Sequence, residues 1–475
     1  MAAGKRSRNP LEFGLITTEC EPFRKNRIRY YSANYFYRDF GKVESIINLN
    51  QDRRTIMKKK TRLQEWSKLL FALVLVFFIT GEALAEKGVT DNEIVIGDLA
   101  MLTGPVSSLC APDSMGFRTY WKYINESGGI HGRKIKVIVG DHSHSTSKAM
   151  MIWKKFINRD EIFAMTGLAT PIFTALSKKI QQEKIPTFPS GQSPTFYEPP
   201  TRYMFPFMPS YQDECRVLVD YIMKDMKYYK KKDLRIGICY VEDDHGFTLL
   251  EGVIDGFKKW GVSDKIVEKQ IYKRGAVDLS GQVLNIKKSK SNLVFMLMGA
   301  PMVGNFIREC AKIDFKPQFA TGPSGVDNDV ALIAGKASYG TIGSSSCQPW
   351  ISEVTGAYKM REITARLRPN MKKEDEGMFY IYGWVKAAIM AEGLKRAGRD
   401  LDREKFVEAL ETLDNFVGDI GGLVGPISYG PGRRNAVGGN SRIKELVPST
   451  GDFTKMLTNS RPPLTIEQIA KFKGK

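Results

Sequence analysis

The sequence predicts an α/β protein of two lobes with parallel sheets, and three observations carry that prediction. Short β-branched runs alternate with amphipathic segments along most of the chain, the pattern that parallel strands joined by helical crossovers produce. A proline-rich interval from Pro194 to Pro209 interrupts this rhythm, which then restarts. The first run, EIVIGDLAMLTGP from Glu93 to Pro105, ends in Gly-Pro punctuation as a buried strand does, and in an open α/β sheet the loops after such strands carry the ligand.

Taken in order, Glu93 to Pro105 opens the first lobe, and the loop from Thr103 to Asp113 is expected as one lip of a cleft. A helix is expected over Ser114 to Ser127, where Phe117, Tyr120, Trp121 and Ile124 share a face and Gly128-Gly129 stops it. Strand Lys134 to Val139, helix Ala149 to Asn158, strand Ile162 to Met165, helix Ile172 to Gln182 and strand Ile185 to Phe188 complete a βαβαβαβ series. Beyond the prolines come helix Glu214 to Met226, strand Leu234 to Val241, helix Leu249 to Trp260 and strand Ile266 to Tyr272. Helix Gly281 to Lys288, strand Leu293 to Met298, helix Asn305 to Ile313 and strand Gln318 to Gly322 follow. From Trp350 the pattern is helical, over Glu353 to Leu367, Glu376 to Arg396 and Arg403 to Leu413, and it packs back on one lobe rather than forming a third sheet.

Composition excludes several classes. With 42% hydrophobic and 26% charged residues the 475-residue chain is that of a globular protein. Its net charge of +19 is denser early, residues 1–85 carrying 16 basic against 8 acidic side chains and the rest 55 against 44. The remaining Lys and Arg are scattered on helix faces without interleaved aromatics, so no nucleic acid partner is expected.

The stretch Met57 to Glu86 has the three parts of a secretory signal: Lys58, Lys59, Lys60 and Arg62, then 11 apolar residues from Leu69 to Ile79, then Ala83-Leu84-Ala85. Eleven residues are too few for a membrane span, which needs about 20. The expectation is export to the periplasm with Met57 as the true start and residues 1–56 non-native, the alternatives being a disordered basic leader or a single-pass anchor with its N-terminus inside. Cys110, Cys215, Cys239, Cys310 and Cys347 show no metal-type spacing, and their pairing is left open.

Catalysis has little to stand on: the chain has four histidines and no GxSxG, GxGxxG, P-loop or HExxH motif, so no enzyme and no cofactor are expected. Asp141-His142-Ser143-His144 follows a strand without a third ligand, and a polar turn is preferred to a metal site. Thr170, in Gly167-Leu168-Ala169-Thr170-Pro171, stands between a strand and a helix, where its hydroxyl and the free helix-start N–H groups can hold an anionic oxygen.

The order EIVIGDLAMLTGP, INESGGIHGRKIKVIVGD, GLATPIFTALSKKIQQEKIPTFPSGQSP, LRIGICYVEDDHG, NLVFMLMGAP and FATGPSGVDNDVALIAG resembles the periplasmic solute-binding proteins of branched-chain amino acid ABC transporters, over roughly Glu93 to Met456. The resemblance implies two Rossmann-like lobes joined by three hinge segments, near Phe207 to Ser210, Ser344 to Pro349 and Asn440 to Val447. The first lobe would comprise 93–207 and 350–440, the second 210–345 and 441–475. It also implies a monomer that closes on a small ligand and serves a membrane permease and its ATPase, the alternative being a ligand sensor of the same fold, either an amide-type regulator or a receptor.

The resemblance places Ala169 and Thr170 at the ligand's carboxylate, with Ser190 and Gln192 in a second carboxylate loop. Elsewhere the chain departs from the pattern: Leu109 and Gly299 stand where the family has tyrosines, and His245 replaces another aromatic. Ser324, in Gly322-Pro323-Ser324-Gly325, replaces the acid that pairs with a ligand ammonium. A buried ammonium without a carboxylate costs several kcal/mol. The expected ligand is a small carboxylate-bearing solute, amino acid-like, an amide or an aromatic acid, with the missing acid favouring an organic acid or amide over a plain α-amino acid unless Asp243, Asp244 or Asp327 substitutes for it.

Overall fold

A computed structural model describes residues 86–474 apart from 105, 106, 198–200, 433 and 435–440, with no side-chain detail for Leu109 and residues 458–461. The leader and the signal segment lie outside the described residues. Four parallel strands form the first sheet: β1 (Glu93–Ala100), β2 (Lys134–Asp141), β3 (Ala164–Gly167) and β4 (Thr187–Pro189), in the order β2-β1-β3-β4. Helices α1 (Ser107–Glu126), α2 (Thr146–Asn158) and α3 (Thr170–Gln182) connect them. Because β1 has β2 on one side and β3 on the other, the winding reverses between β1 and β3, and a crevice opens beyond their carboxyl ends.

The second sheet repeats the device. After α4 (Tyr211–Asp220) come β5 (Ile236–Val241), α5 (Asp244–Lys259), β6 (Ile266–Tyr272), α6 (Ser280–Lys288), β7 (Leu293–Leu297), α7 (Ala300–Lys312), β8 (Gln318–Thr321), α8 (Asp329–Ala334) and β9 (Ile342–Ser345). Helices α9 (Thr355–Leu367), α10 (Met378–Ala397) and α11 (Arg403–Glu411) precede β10 (Ser441–Val447), β11 (Asp452–Arg461) and α12 (Ile466–Lys473). The strand order is β11-β10-β9-β8-β7-β5-β6, parallel from β6 to β9, with β10 and β11 antiparallel at the edge. Here the reversal falls between β5 and β7.

Strand β11 is absent from the sequence reading, which stopped recognising regular structure after the glycine-rich stretch. Its residues, DFTKMLTNSR, alternate too weakly for the period to be seen. In the helical region α10 lies along α1. Sixteen of the 20 residues of α10 are buried, the mark of a helix covered on all sides. Gly116 and Gly383 make this approach close: a Cβ on Gly383 would collide with the Asp113 carbonyl oxygen, and one on Gly116 with that of Tyr380.

The largest departures are at helix starts. Helix α1 begins seven residues before Ser114 and carries Pro112 inside it, so Ser107 to Asp113 is helix and not the expected loop. Helix α5 begins at Asp244, so His245 belongs to a first helical turn rather than to a strand-end loop. Polar, glycine and proline residues in these turns hide the apolar period.

Candidate functional site

Both crevices face a shared cavity of about 210 Å³. From the first sheet it receives Met101 after β1, His144 after β2, Leu168 to Pro171 after β3, and Ser190 after β4. From the second it receives His245 after β5, Tyr272 and Arg274 to Val277 at β6, Gly299, Pro301 and Met302 after β7, and Ser324 after β8. Cys110, Tyr211, Asn305 and Phe379 complete the wall.

Of the residues proposed from the sequence, Ala169, Thr170, Ser190, His245, Gly299 and Ser324 lie together in this wall. Ala169 caps α3 with φ 126°, a left-handed-side conformation that costs a non-glycine residue roughly 1–3 kcal/mol and is typically retained where a site needs it. It turns the start of α3 toward the cavity, with Thr170 and Pro171 in the first turn. The Thr170 hydroxyl lies 3.3 Å from that of Tyr211.

Two expectations change. Gln192 is not among the lining residues: its Nε2 donates to the Pro209 carbonyl at 2.7 Å and ties the turn to the first crossover. The Ser190 hydroxyl, although at the wall, donates backward to Asp113 Oδ1 at 2.8 Å. Leu109 sits in the first turn of α1, and its side chain lies outside the described part of the structure.

Behind Ser190 stands a buried charge cluster that the sequence reading did not find. Lys386 Nζ donates to Asp113 Oδ2 at 2.7 Å and to the Gly167 carbonyl at 3.3 Å. Asp98 accepts from the Ser114 hydroxyl at 2.5 Å. Burial pushes the Asp113 carboxyl up to about 6, against the pull of Lys386. Burial raises Asp98 too, so one ammonium faces two carboxyls that are both easier to protonate than in water. Lys386 thus fixes α10, α1 and the β3 loop relative to one another.

The second half of the cavity is neutral or cationic. His245 Nε2 and the Ser324 hydroxyl lie 2.5 Å apart, and the Tyr211 ring meets the His245 ring edge-on at 5.0 Å between centroids. Burial holds His245 down to about 4, with Asp243 opposing and Arg274 reinforcing the shift. Burial lowers His144 to about 4 as well, and Arg274 adds to it. Both rings are therefore uncharged at neutral pH. Asp243, Asp244 and Asp327 do not replace the missing acid: Asp243 pairs with Arg274, Asp244 accepts from the Thr174 hydroxyl, and Asp327 accepts from the Met378 N–H at a separate small cavity. No Asp or Glu lines the main cavity among the described residues.

His142 is bonded to the Leu168 carbonyl at 2.9 Å, which leaves His144 as the member of that pair facing the cavity. The five cysteines of the described residues are free and buried. Arg274, Tyr211, Tyr272 and Phe379 were missed by residue-level reading, although the rule that ligands lie beyond strand ends marks the segment after Tyr272.

Two doubly wound halves that share one largely apolar cavity, with helix starts and neutral polar groups in its wall, have the layout of a small-molecule binding cleft. The chain belongs to the periplasmic binding protein family, whose pattern matches residues 93–443. It is 22% identical over 354 residues to a Leu/Ile/Val-binding protein homolog of Brucella suis, covering 74% of this chain and 89% of that one. The fold matches a Thermus thermophilus branched chain amino acid ABC transporter protein with bound valine at TM-score 0.70 and 20% identity, covering 81% and 99% of the two chains. It also matches a fatty acid ABC transporter substrate-binding protein from Thermomonospora curvata at TM-score 0.67 and 21% identity, covering 81% and 95%.

Proposed function

We propose that this protein is the exported substrate-binding component of an ABC importer and that it carries a carboxylate-bearing solute lacking an ammonium group. The observation that carries the ligand class is the absence of any Asp or Glu among the lining residues described, with Ser324 turned to His245 where an acid would be needed. An ammonium brought there would lose its water without gaining a counter-charge. A carboxylate has a place at the start of α3, on the hydroxyl and the backbone N–H of Thr170, while the Ile172 and Phe173 N–H groups are already taken by the Ala169 carbonyl.

The apolar body of the ligand then lies against Met101, Leu168, Tyr272, Met302 and Phe379. Ligand contacts from both halves favour the closed arrangement, and a membrane permease with its ATPase reads that form. The relatives named for ABC transport support this partnership, and the signal-like stretch Met57 to Ala85 supports a periplasmic location. Calorimetry on protein refolded to remove carried-over ligand tests the reading. Binding of aliphatic or aromatic acids with leucine silent is the expected result; tight leucine binding with the acids silent refutes it.

A further inference from the structure

Among the described lining residues Arg274 is the one with a full charge, and it is held from behind. Its Nε donates to Asp243 Oδ2 at 2.6 Å, and Nη2 reaches the same oxygen. Asp243 in turn caps α5, taking the Gly246 N–H on Oδ1 at 3.1 Å. The guanidinium is therefore anchored to the floor of the second half by one edge. Nη1 has no hydrogen-bond partner among the described residues. The charge acts within the cavity: it adds to the burial that holds His144 and His245 down and opposes the burial that pushes Cys110 and Tyr211 up, four groups that line the cavity from both halves.

A ligand that fills the cavity strips water from that free edge. Donors of a guanidinium left unpaired there would offset much of the binding energy, whereas an oxygen acceptor satisfies them. We infer that Arg274 receives a second oxygen group of the ligand, so that the cleft selects carboxylic acids bearing a hydroxyl, oxo or further carboxylate group remote from the first. This rests on the proposed placement of the first carboxylate at Thr170. The two anchors sit on opposite halves, so a ligand engaging both bridges the closure. Asp243 already balances the guanidinium, so the second group need not be charged.

Calorimetry with two matched series tests this: benzoate, 4-hydroxybenzoate and terephthalate, and hexanoate, 6-hydroxyhexanoate and adipate. The second oxygen group is expected to raise affinity at least tenfold in one series, the fold-change falling below threefold in Arg274→Met. Arg274→Lys, which keeps the charge beside Asp243, should fold as the wild type and retain part of the gain, separating lost recognition from lost folding. Equal affinities throughout both series, or a gain that survives Arg274→Met, overturn the inference and leave the proposed ligand class standing. Silence of all six acids counts against both.

Discussion

The Thr174 hydroxyl on α3 donates to Asp244 Oδ2 at the start of α5 at 2.8 Å, joining the first half of the protein directly to the second. A bond that spans the two halves favours the arrangement in which they meet, and neither residue lines the cavity. A hydrogen bond to a partly exposed charged group contributes about 1 kcal/mol, or roughly fivefold in an equilibrium. Thr174→Val should weaken ligand binding by about that factor, chiefly through faster release. Stopped-flow dissociation checks this, and an unchanged off-rate would show that the bond does not hold the closed form.

Lys386 is expected to be the most sensitive polar position in the first half. It is fully buried between Asp113 and the Gly167 carbonyl. Lys386→Met leaves Asp113 without its counter-charge, and removing one member of a buried pair costs about 3–5 kcal/mol. Lys386→Met with Asp113→Asn should recover much of that loss, because neither side then carries a stranded charge. Denaturant unfolding of the two variants measures the difference, and a double variant no better than the single one contradicts the pairing.

Gly383 lets α10 approach α1 so closely that a methyl group there meets the Asp113 carbonyl oxygen. Gly383→Ala must push the helices apart and move the residue that holds Ser190. Overpacking of this kind costs about 1–3 kcal/mol. Thermal unfolding should therefore shift down by a few degrees, on the order of 2 °C per kcal/mol, with ligand affinity falling as well.

Stability should peak in mildly acidic solution. Burial raises Asp327 to about 8, reinforced by Asp452 and Asp329, and raises Glu214 to about 7. The folded protein binds these protons more tightly than the unfolded chain, so stability is lost as pH rises through 7 and 8. His144 and His245, held near 4 mainly by burial, act in the other direction, their contribution being lost as pH falls from 6.5 toward 4. The melting temperature should rise as pH falls from 8 to about 6.5 and then change little down to about 4.5, where the two acids and the two histidines oppose each other. In Asp327→Asn the alkaline decline should flatten, and a decline as steep as in the wild type would exclude Asp327 as its source.

Much of the architecture was legible because buried parallel strands announce themselves: Ile94 to Ile96 and Leu293 to Met298 are apolar on both faces and fully enclosed. What escaped was mostly at the ends of elements. The starts of α1, α5 and α7 are written in serine, aspartate, glycine and proline, residues that a sequence reading takes for loops. Those turns form part of the cleft, since His245, Pro301 and Met302 stand in them. Direction was illegible too: nothing in PSGQSP reveals that Ser190 turns to Asp113, because its partner is 77 residues away on another helix. Arg274 escaped because the family pattern drew attention to positions where an expected residue is missing, and not to the segment that follows the strand end at Tyr272.

The exchange at Ser324 carries a prediction of its own. Its hydroxyl lies 2.5 Å from His245 Nε2, at the edge of the cavity and beside a ring that burial keeps neutral. Ser324→Glu would place a carboxylate there, and the adjacent imidazole would gain a proton to meet it, since an opposite charge at that range favours the charged form. Part of the new charge would be spent on His245, so the double variant Ser324→Glu with His245→Tyr should expose it fully to the cavity. In that background an α-amino acid such as leucine finds a counter-charge for its ammonium and still has the start of α3 for its carboxylate. Leucine affinity is expected to rise at least tenfold over the wild type, while simple acids lose a similar factor through repulsion. Calorimetry on both ligands decides it: acid binding unchanged in the double variant would mean that ligand does not approach Ser324, and the charge argument for the ligand class would lose its main support.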